Sequence, residues 1–222
     1  KMNEINHELG IIALESCREL GQQVNKIIQQ KRNTEESFLI PTNEIRFSNG
    51  EGKVKLPETV RGKDIYILCD VGNYSCTYKM FGFTNHKGPD EHFQDIKRTV
   101  SAIRGKAARI TVIMPLLYQS RQHRRKGRES LDCALALQEL ERLEENRKRI
   151  LLLVGNYSEV AEIKRYFDEV LSNDGEIKKG DVCLLVRDDG EAVSDEDISR
   201  GDVTEFGIMD KKILIAPLMA LE

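Results

Sequence analysis

The 222-residue chain has no apolar run long enough to span a bilayer, and no signal-peptide pattern opens it. It has no CxxC pair and no Cys/His cluster at metal-ligand spacing, so a structural zinc site finds no ligands. Neither sign of charge dominates. The formal net charge is -3, so no global field draws the chain to nucleic acid, and any anion site must be local. No Walker A GxxxxGK[ST] occurs, which excludes an ATPase motor assembled from this chain. Internal repeats and low-complexity tracts are absent too. The five cysteines, Cys17, Cys69, Cys76, Cys133 and Cys183, are odd in number and scattered. Cys69, Cys133 and Cys183 stand in apolar runs and read as buried thiols of a reducing, cytoplasmic setting.

What is present is globular. The composition is 40% hydrophobic and 32% charged, and the length suits one large or two small domains with a proper core. The chain opens on Lys1-Met2 and closes on an apolar strand with the start of its exit, so a fragment or an incomplete reading frame is expected. Residues 11–14 read as a short strand, and 15–30 as a helix with Leu20, Val24, Ile27 and Ile28 near helical spacing. Asn49-Gly50 is a turn pair between strand-like flanks, so 45–56 reads as a hairpin. Residues 65–69 are a continuous apolar run, expected as a buried parallel strand. Residues 70–89 are long and polar and read as a functional or mobile loop. Its Tyr74 and Tyr78 are read as loop packing, with base stacking as the alternative. His86 and His92 are expected as ordinary surface histidines, as is the isolated His7. Over 90–104, Phe93, Ile96, Val100 and Ile103 form one helix face, with Gly105 as its C-cap. Residues 109–114 are the next strand. Strand, helix and strand at βαβ spacing predict a parallel sheet.

Between that strand and a helix pattern at 131–143 lies PLLYQSRQHRRKGRES, with Arg121, Gln122, His123, Arg124, Arg125, Lys126 and Arg128 inside eight positions. A basic loop between a buried strand and a helix is where α/β proteins hold phosphate. A solvated basic loop without a ligand is the competing interpretation.

Taken in order, RFSNGEGKVKLPETVRGKDIYILCD and PDEHFQDIKRTVSAIRGKAARITVIMPLLYQSRQHRRKGRESLDCALALQELERL resemble ribose-phosphate pyrophosphokinase, the phosphoribosyl pyrophosphate synthetases. The similarity covers about 11–143. It implies an α/β, parallel-sheet phosphoribosyltransferase-like (Rossmann-like) domain at 1–143, followed by an incomplete second α/β unit at 144–222. The implied reaction moves the β,γ-diphosphoryl group of ATP to O1 of ribose 5-phosphate with Mg²⁺. By the resemblance, Phe47, Asn49 and Glu51 hold adenine: the ring stacks on the base and the polar groups read its edge. Arg121 and Gln122 belong to the nucleotide-binding loop, with His123, Arg124 and Arg125 as weaker phosphate contacts. Hairpin and loop can meet across a subunit boundary in the family, which implies a homo-oligomer. His123 stands where the family usually has Asp, and the stretch 70–89 is longer than its counterpart.

Past Leu143 the resemblance ends. No Asp-x-His and no Asp-Asp-x-x-x-[Ser/Thr]-Gly run follows, and Asp188-Asp189-Gly190 reads as an acidic turn. No catalytic or metal-binding residue is assigned. Residues 150–154, 182–186 and 212–216 read as strands and 159–171 as a helix with Ser158 as N-cap. This tail is faintly similar to the second RecA-like lobe of a superfamily 2 helicase. A generic Rossmann-like half-domain is the preferred interpretation of it. Three functions follow as expectations: a ribose-phosphate diphosphokinase or a piece of one, a non-catalytic nucleotide-binding or regulatory subunit, and a helicase fragment resting on the tail alone.

Overall fold

The computed structural model describes residues 8–121, 127, 128, 130, 132–143, 148–154, 182–186, 198–199 and 213–217. The chain forms two compact units, Lys1–Val112 and Ile113–Glu222.

The first unit is built on a parallel pair, β1 (Leu9–Ala13) and β4 (Asp64–Leu68), in the register Leu9 to Asp64 and Ala13 to Leu68. The strand β7 (Arg109–Met114) lies next to β4. Their apolar residues Ile11, Ile12, Ile65, Ile67 and Ile110 are almost fully buried. An uninterrupted apolar run is what a strand covered on both faces requires. Asp64, buried at the start of β4, accepts from Arg109 Nε at 2.8 Å and so ties β4 to β7. A short 3-10 turn, Glu15–Cys17, precedes α1 (Arg18–Arg32). This helix is partnered sparsely, burying only Gly21 and Asn25. Asn25 Oδ1 accepts the Phe38 N–H at 2.8 Å, which holds the return segment against α1, and Leu39 bridges to Ile11 of β1. Asn33, left-handed at φ 49°, ends α1.

Two antiparallel hairpins stand off this sheet: β2 (Asn43–Arg46) with β3 (Gly52–Lys55), and β5 (Thr77–Met80) with β6 (Phe83–His86). The second hairpin lies within 70–89, the stretch read as a functional or mobile loop. Phe81 and Gly82 both take positive φ, 48° and 85°, and fold the chain back on itself. α2 (Pro89–Ile103) follows directly and packs on β3. Pro89 at its first position suits the missing N–H, and Glu91 Oε2 accepts the Gly88 N–H at 2.9 Å. Phe93, Ile96, Val100 and Ile103 are buried as one stripe, as their spacing predicts. At the other end Arg104 is left-handed at φ 56° ahead of Gly105 at φ 64°, so the turn out of α2 uses both residues.

In the second unit, α3 (Asp132–Arg142) buries Cys133, Ala136, Leu137 and Leu140. Strands β8 (Lys148–Val154), β11 (Ile213–Pro217), β9 (Val182–Val186) and β10 (Ile198–Ser199) pair in that order, all parallel. The expected helix 159–171 and its cap Ser158 lie outside the described residues. Among the described residues no helix is long and apolar enough to cross a membrane.

Candidate functional site

The Asn49-Gly50 pair does produce a hairpin, with a five-residue tip at 47–51. Phe47 N–H donates to Glu51 O at 2.8 Å and Gly50 N–H to Phe47 O at 2.9 Å. Asn49 Oδ1 accepts the Glu51 N–H at 3.1 Å, and Gly50 sits at φ 90°, a conformation that favours a residue without Cβ. The result is an outward display. Phe47 is 48% exposed, and Asn49 and Glu51 are exposed beside it. Half of a phenyl ring left in water next to an amide and a carboxylate is the surface a planar, edge-polar ligand would cover. The three residues expected to hold adenine therefore share one tip.

The base of the same hairpin is anchored by charge. Lys87 is only 2% exposed, yet its ammonium is 2.7 Å from Glu15, 3.0 Å from Glu44 and 3.3 Å from Asp95. Burial alone would push its pKa down. The Glu15, Glu44 and Asp95 carboxylates outweigh that and hold it above the ordinary lysine value, so Lys87 is charged. Glu44 also accepts the Glu15 N–H at 2.6 Å. Arg46 reaches from the hairpin to Asp95 at 2.9 Å and to Gly50 O at 3.3 Å, and Arg98 completes the set at 2.7 Å from Asp95. Gly52 leaves room for Arg98, because a Cβ there would overlap its guanidinium. The carboxylate side chains of Glu44 and Asp95 are almost wholly out of water and so need these partners. Sequence reasoning misses this cluster. The available signal is Asp95 bordering the apolar stripe of α2, where an unpaired carboxylate is not tolerated.

His92 is a correction. It is 1% exposed rather than a surface residue, and its Nε2 lies 2.8 Å from Asn73 O. Asn73 Nδ2 in turn donates to Ser16 O at 2.9 Å, so the ring pins the start of the long segment to the 3-10 turn. His86 stacks on Tyr74 at the surface with ring centroids 4.3 Å apart, and Tyr78 lies under Arg46, so both tyrosines have partners within the chain. His7 lies outside the described residues. Cys69 and Cys133 are buried, and so are Cys17 and Cys76.

Arg121 lies in the second unit, exposed, at the end of a turn closed by Ser120 N–H to Leu117 O at 3.2 Å. Gln122, His123, Arg124 and Arg125 lie outside the described residues. Among the described residues no group of three or more His, Cys, Asp or Glu side chains is arranged to hold a metal ion. The Glu15, Glu44 and Asp95 carboxylates converge on the Lys87 ammonium instead.

Residues 9–143 match the N-terminal domain of ribose phosphate pyrophosphokinase. Among solved structures the chain is similar to phosphoribosylpyrophosphate synthetase from Mycobacterium smegmatis, with a TM-score of 0.51 at 18% identity. That likeness, which concerns the fold, covers 94% of this chain and 64% of the other. No curated protein matches. With well over half of its length accounted for by that domain, the chain belongs to the ribose phosphate pyrophosphokinase family.

Proposed function

We propose that the chain is the nucleotide-holding part of a ribose-phosphate diphosphokinase, binding ATP and passing its β,γ-diphosphoryl group to ribose 5-phosphate. The observation that carries this is the exposed Phe47–Asn49–Glu51 tip on a hairpin whose base is locked by buried charge. Phe47 stacks on adenine, and Glu51 accepts from the base edge. Asn49 Oδ1 is committed to the turn, so its NH₂ is the group that donates to the base. Arg121 and Gln122, with His123, Arg124 and Arg125 as weaker contacts, take the phosphates.

Mg²⁺ would be held chiefly by the nucleotide's phosphates. The described residues offer no protein cage, and Mg²⁺ commonly binds through substrate phosphates with few protein ligands. When bound it neutralises charge on the transferring group. The protein's own part is to fix the adenine and to present guanidinium donors where phosphoryl charge develops. A homo-oligomer that brings hairpin and basic loop together between copies, in the cytoplasm, belongs to the same proposal.

A second reading, a non-catalytic nucleotide-binding or regulatory subunit, rests on one sequence observation. No Asp-x-His and no Asp-Asp-x-x-x-[Ser/Thr]-Gly run follows Leu143. Incubating the chain with ATP, Mg²⁺ and ribose 5-phosphate and measuring AMP decides between the two. AMP formed above a control lacking ribose 5-phosphate supports the enzyme. Calorimetric ATP binding without AMP supports the subunit, and loss of both readouts ends the nucleotide proposal.

A further inference from the structure

The β5–β6 hairpin has no part in the function proposed above, yet it reaches the 47–51 tip from some thirty residues away in sequence. Phe81 N–H donates to Ser48 O at 2.7 Å. Gly50 lies against Met80 so closely that a Cβ would come within 2.8 Å of its Sδ. The Arg46 guanidinium lies over the Tyr78 ring, 5.0 Å from its centroid. Tyr78 OH lies 3.4 Å from Glu91 Oε1, and the other oxygen of Glu91 caps α2. Lys87 N–H donates to Cys76 O at 2.8 Å and closes the hairpin at its foot. The second hairpin is thus tied to the helix at one end and to the tip at the other.

The contacts alternate along the tip. Residues 46, 48 and 50 touch the second hairpin, while Phe47, Asn49 and Glu51, the side chains assigned to adenine, are left to solvent. A two-stranded hairpin is at best marginally ordered by itself, so the order of its tip must come from outside it. Binding that finds its contact residues already ordered loses less entropy on association.

We propose that the β5–β6 hairpin is a brace that sets the shape of the 47–51 tip, with Tyr78 and Met80 as positioning residues for adenine recognition. Its ligand rests on the nucleotide function proposed above; its ordering of the tip does not.

The chain contains no tryptophan, so Phe47→Trp places a single tryptophan on the tip, excited selectively at wavelengths the tyrosines do not absorb. In that background Tyr78→Leu is expected to add a fast nanosecond component to the anisotropy decay and to raise iodide quenching, while Tyr78→Phe, which keeps the ring under Arg46, leaves both unchanged. With Phe47 in place, Tyr78→Leu is expected to raise the calorimetric Kd for ATP about three- to tenfold, the range of a partly desolvated cation–π contact, and to leave inorganic tripolyphosphate unaffected. Met80→Ala, expected to act in the same direction, substitutes if circular dichroism shows Tyr78→Leu unfolded. Unchanged anisotropy and quenching would overturn the brace. Equal losses for ATP and tripolyphosphate would overturn the positioning role. Failure of the parent protein to bind ATP would remove the nucleotide function, while the fluorescence result would still decide the brace.

Discussion

Lys87→Met is the substitution with the largest expected effect. The methionine nearly matches the lysine stem in volume, so packing around the aliphatic portion is kept and the charge alone is lost. Glu15 is about one-third exposed, at 35%, so its pairing with Lys87 is screened and counts for little. Glu44 and Asp95 are different, at 6% and 3% side-chain exposure. Asp95 retains Arg46 and Arg98, but Glu44 keeps the Glu15 backbone N–H in place of a cation. Removing one partner from a buried ion pair costs about 3–5 kcal/mol, because the remaining charge stays desolvated. With a urea m-value of about 2 kcal/mol per molar, the midpoint should fall by about 1.5–2.5 M. The double variant Lys87→Met/Glu44→Gln removes the orphaned charge and should recover about 1–3 kcal/mol of that loss. Urea unfolding followed by circular dichroism measures both. A single variant within about 0.5 kcal/mol of the parent, or a double variant destabilised by the sum of its parts, would refute the reasoning. The pH dependence has a definite sign. The folded-state pKa of Lys87 is raised above its unfolded value of about 10.4. Its contribution is therefore complete at neutral pH and lost only as pH rises through the folded value.

Four further outcomes are expected. Gly21→Ala should destabilise the first unit by about 1–2 kcal/mol in thermal unfolding, because the added Cβ overlaps Ala13 Cβ on β1 and overpacking exceeds the helix-propensity gain of about 1 kcal/mol. Burial pushes the Cys17 thiol from 9.0 to about 11 and Cys133 up to about 12. Both should resist iodoacetamide at pH 8.5 until urea unfolds the chain, and stability should decline as pH rises above about 9, by up to 1.4 kcal/mol per pH unit for each thiol; fast alkylation of the native protein, read by mass spectrometry, would contradict this. Phe47→Ala should weaken ATP binding about tenfold in calorimetry and leave inorganic tripolyphosphate unchanged, whereas equal losses would argue against stacking. Arg121→Ala should lower ATP affinity by about 1.5–3 kcal/mol, the worth of a charge-assisted bond, and an unchanged Kd would remove Arg121 from the site.

Much of the fold is legible in the sequence because it follows from periodicity and local chemistry. The spacing of Phe93, Ile96, Val100 and Ile103 predicts α2 and the face it buries. The unbroken apolar run of β4 predicts a covered strand, and Asn49-Gly50 predicts the turn. The β5–β6 hairpin is not legible in this way. Its strands are four residues long and largely exposed, so no buried face imposes an alternation, and its turn needs a phenylalanine at positive φ, against that residue's local preference. The burial of His92 is hidden for a related reason: its partner, Asn73 O, is a backbone atom nineteen positions away and leaves no mark on the pattern of side chains.

By itself the sequence determined the parallel α/β class, the three elements β4, α2 and β7, and the family, since each depends on residue types at fixed local spacing. Tertiary structure decided which charges became core. Lys87 is buried and cationic only because Glu15, Glu44 and Asp95, brought by a turn, a hairpin and a helix far apart in the chain, meet around one ammonium. A buried charge is tolerable only where its partners are fixed in space, and pairwise spacing along a chain carries no information about that.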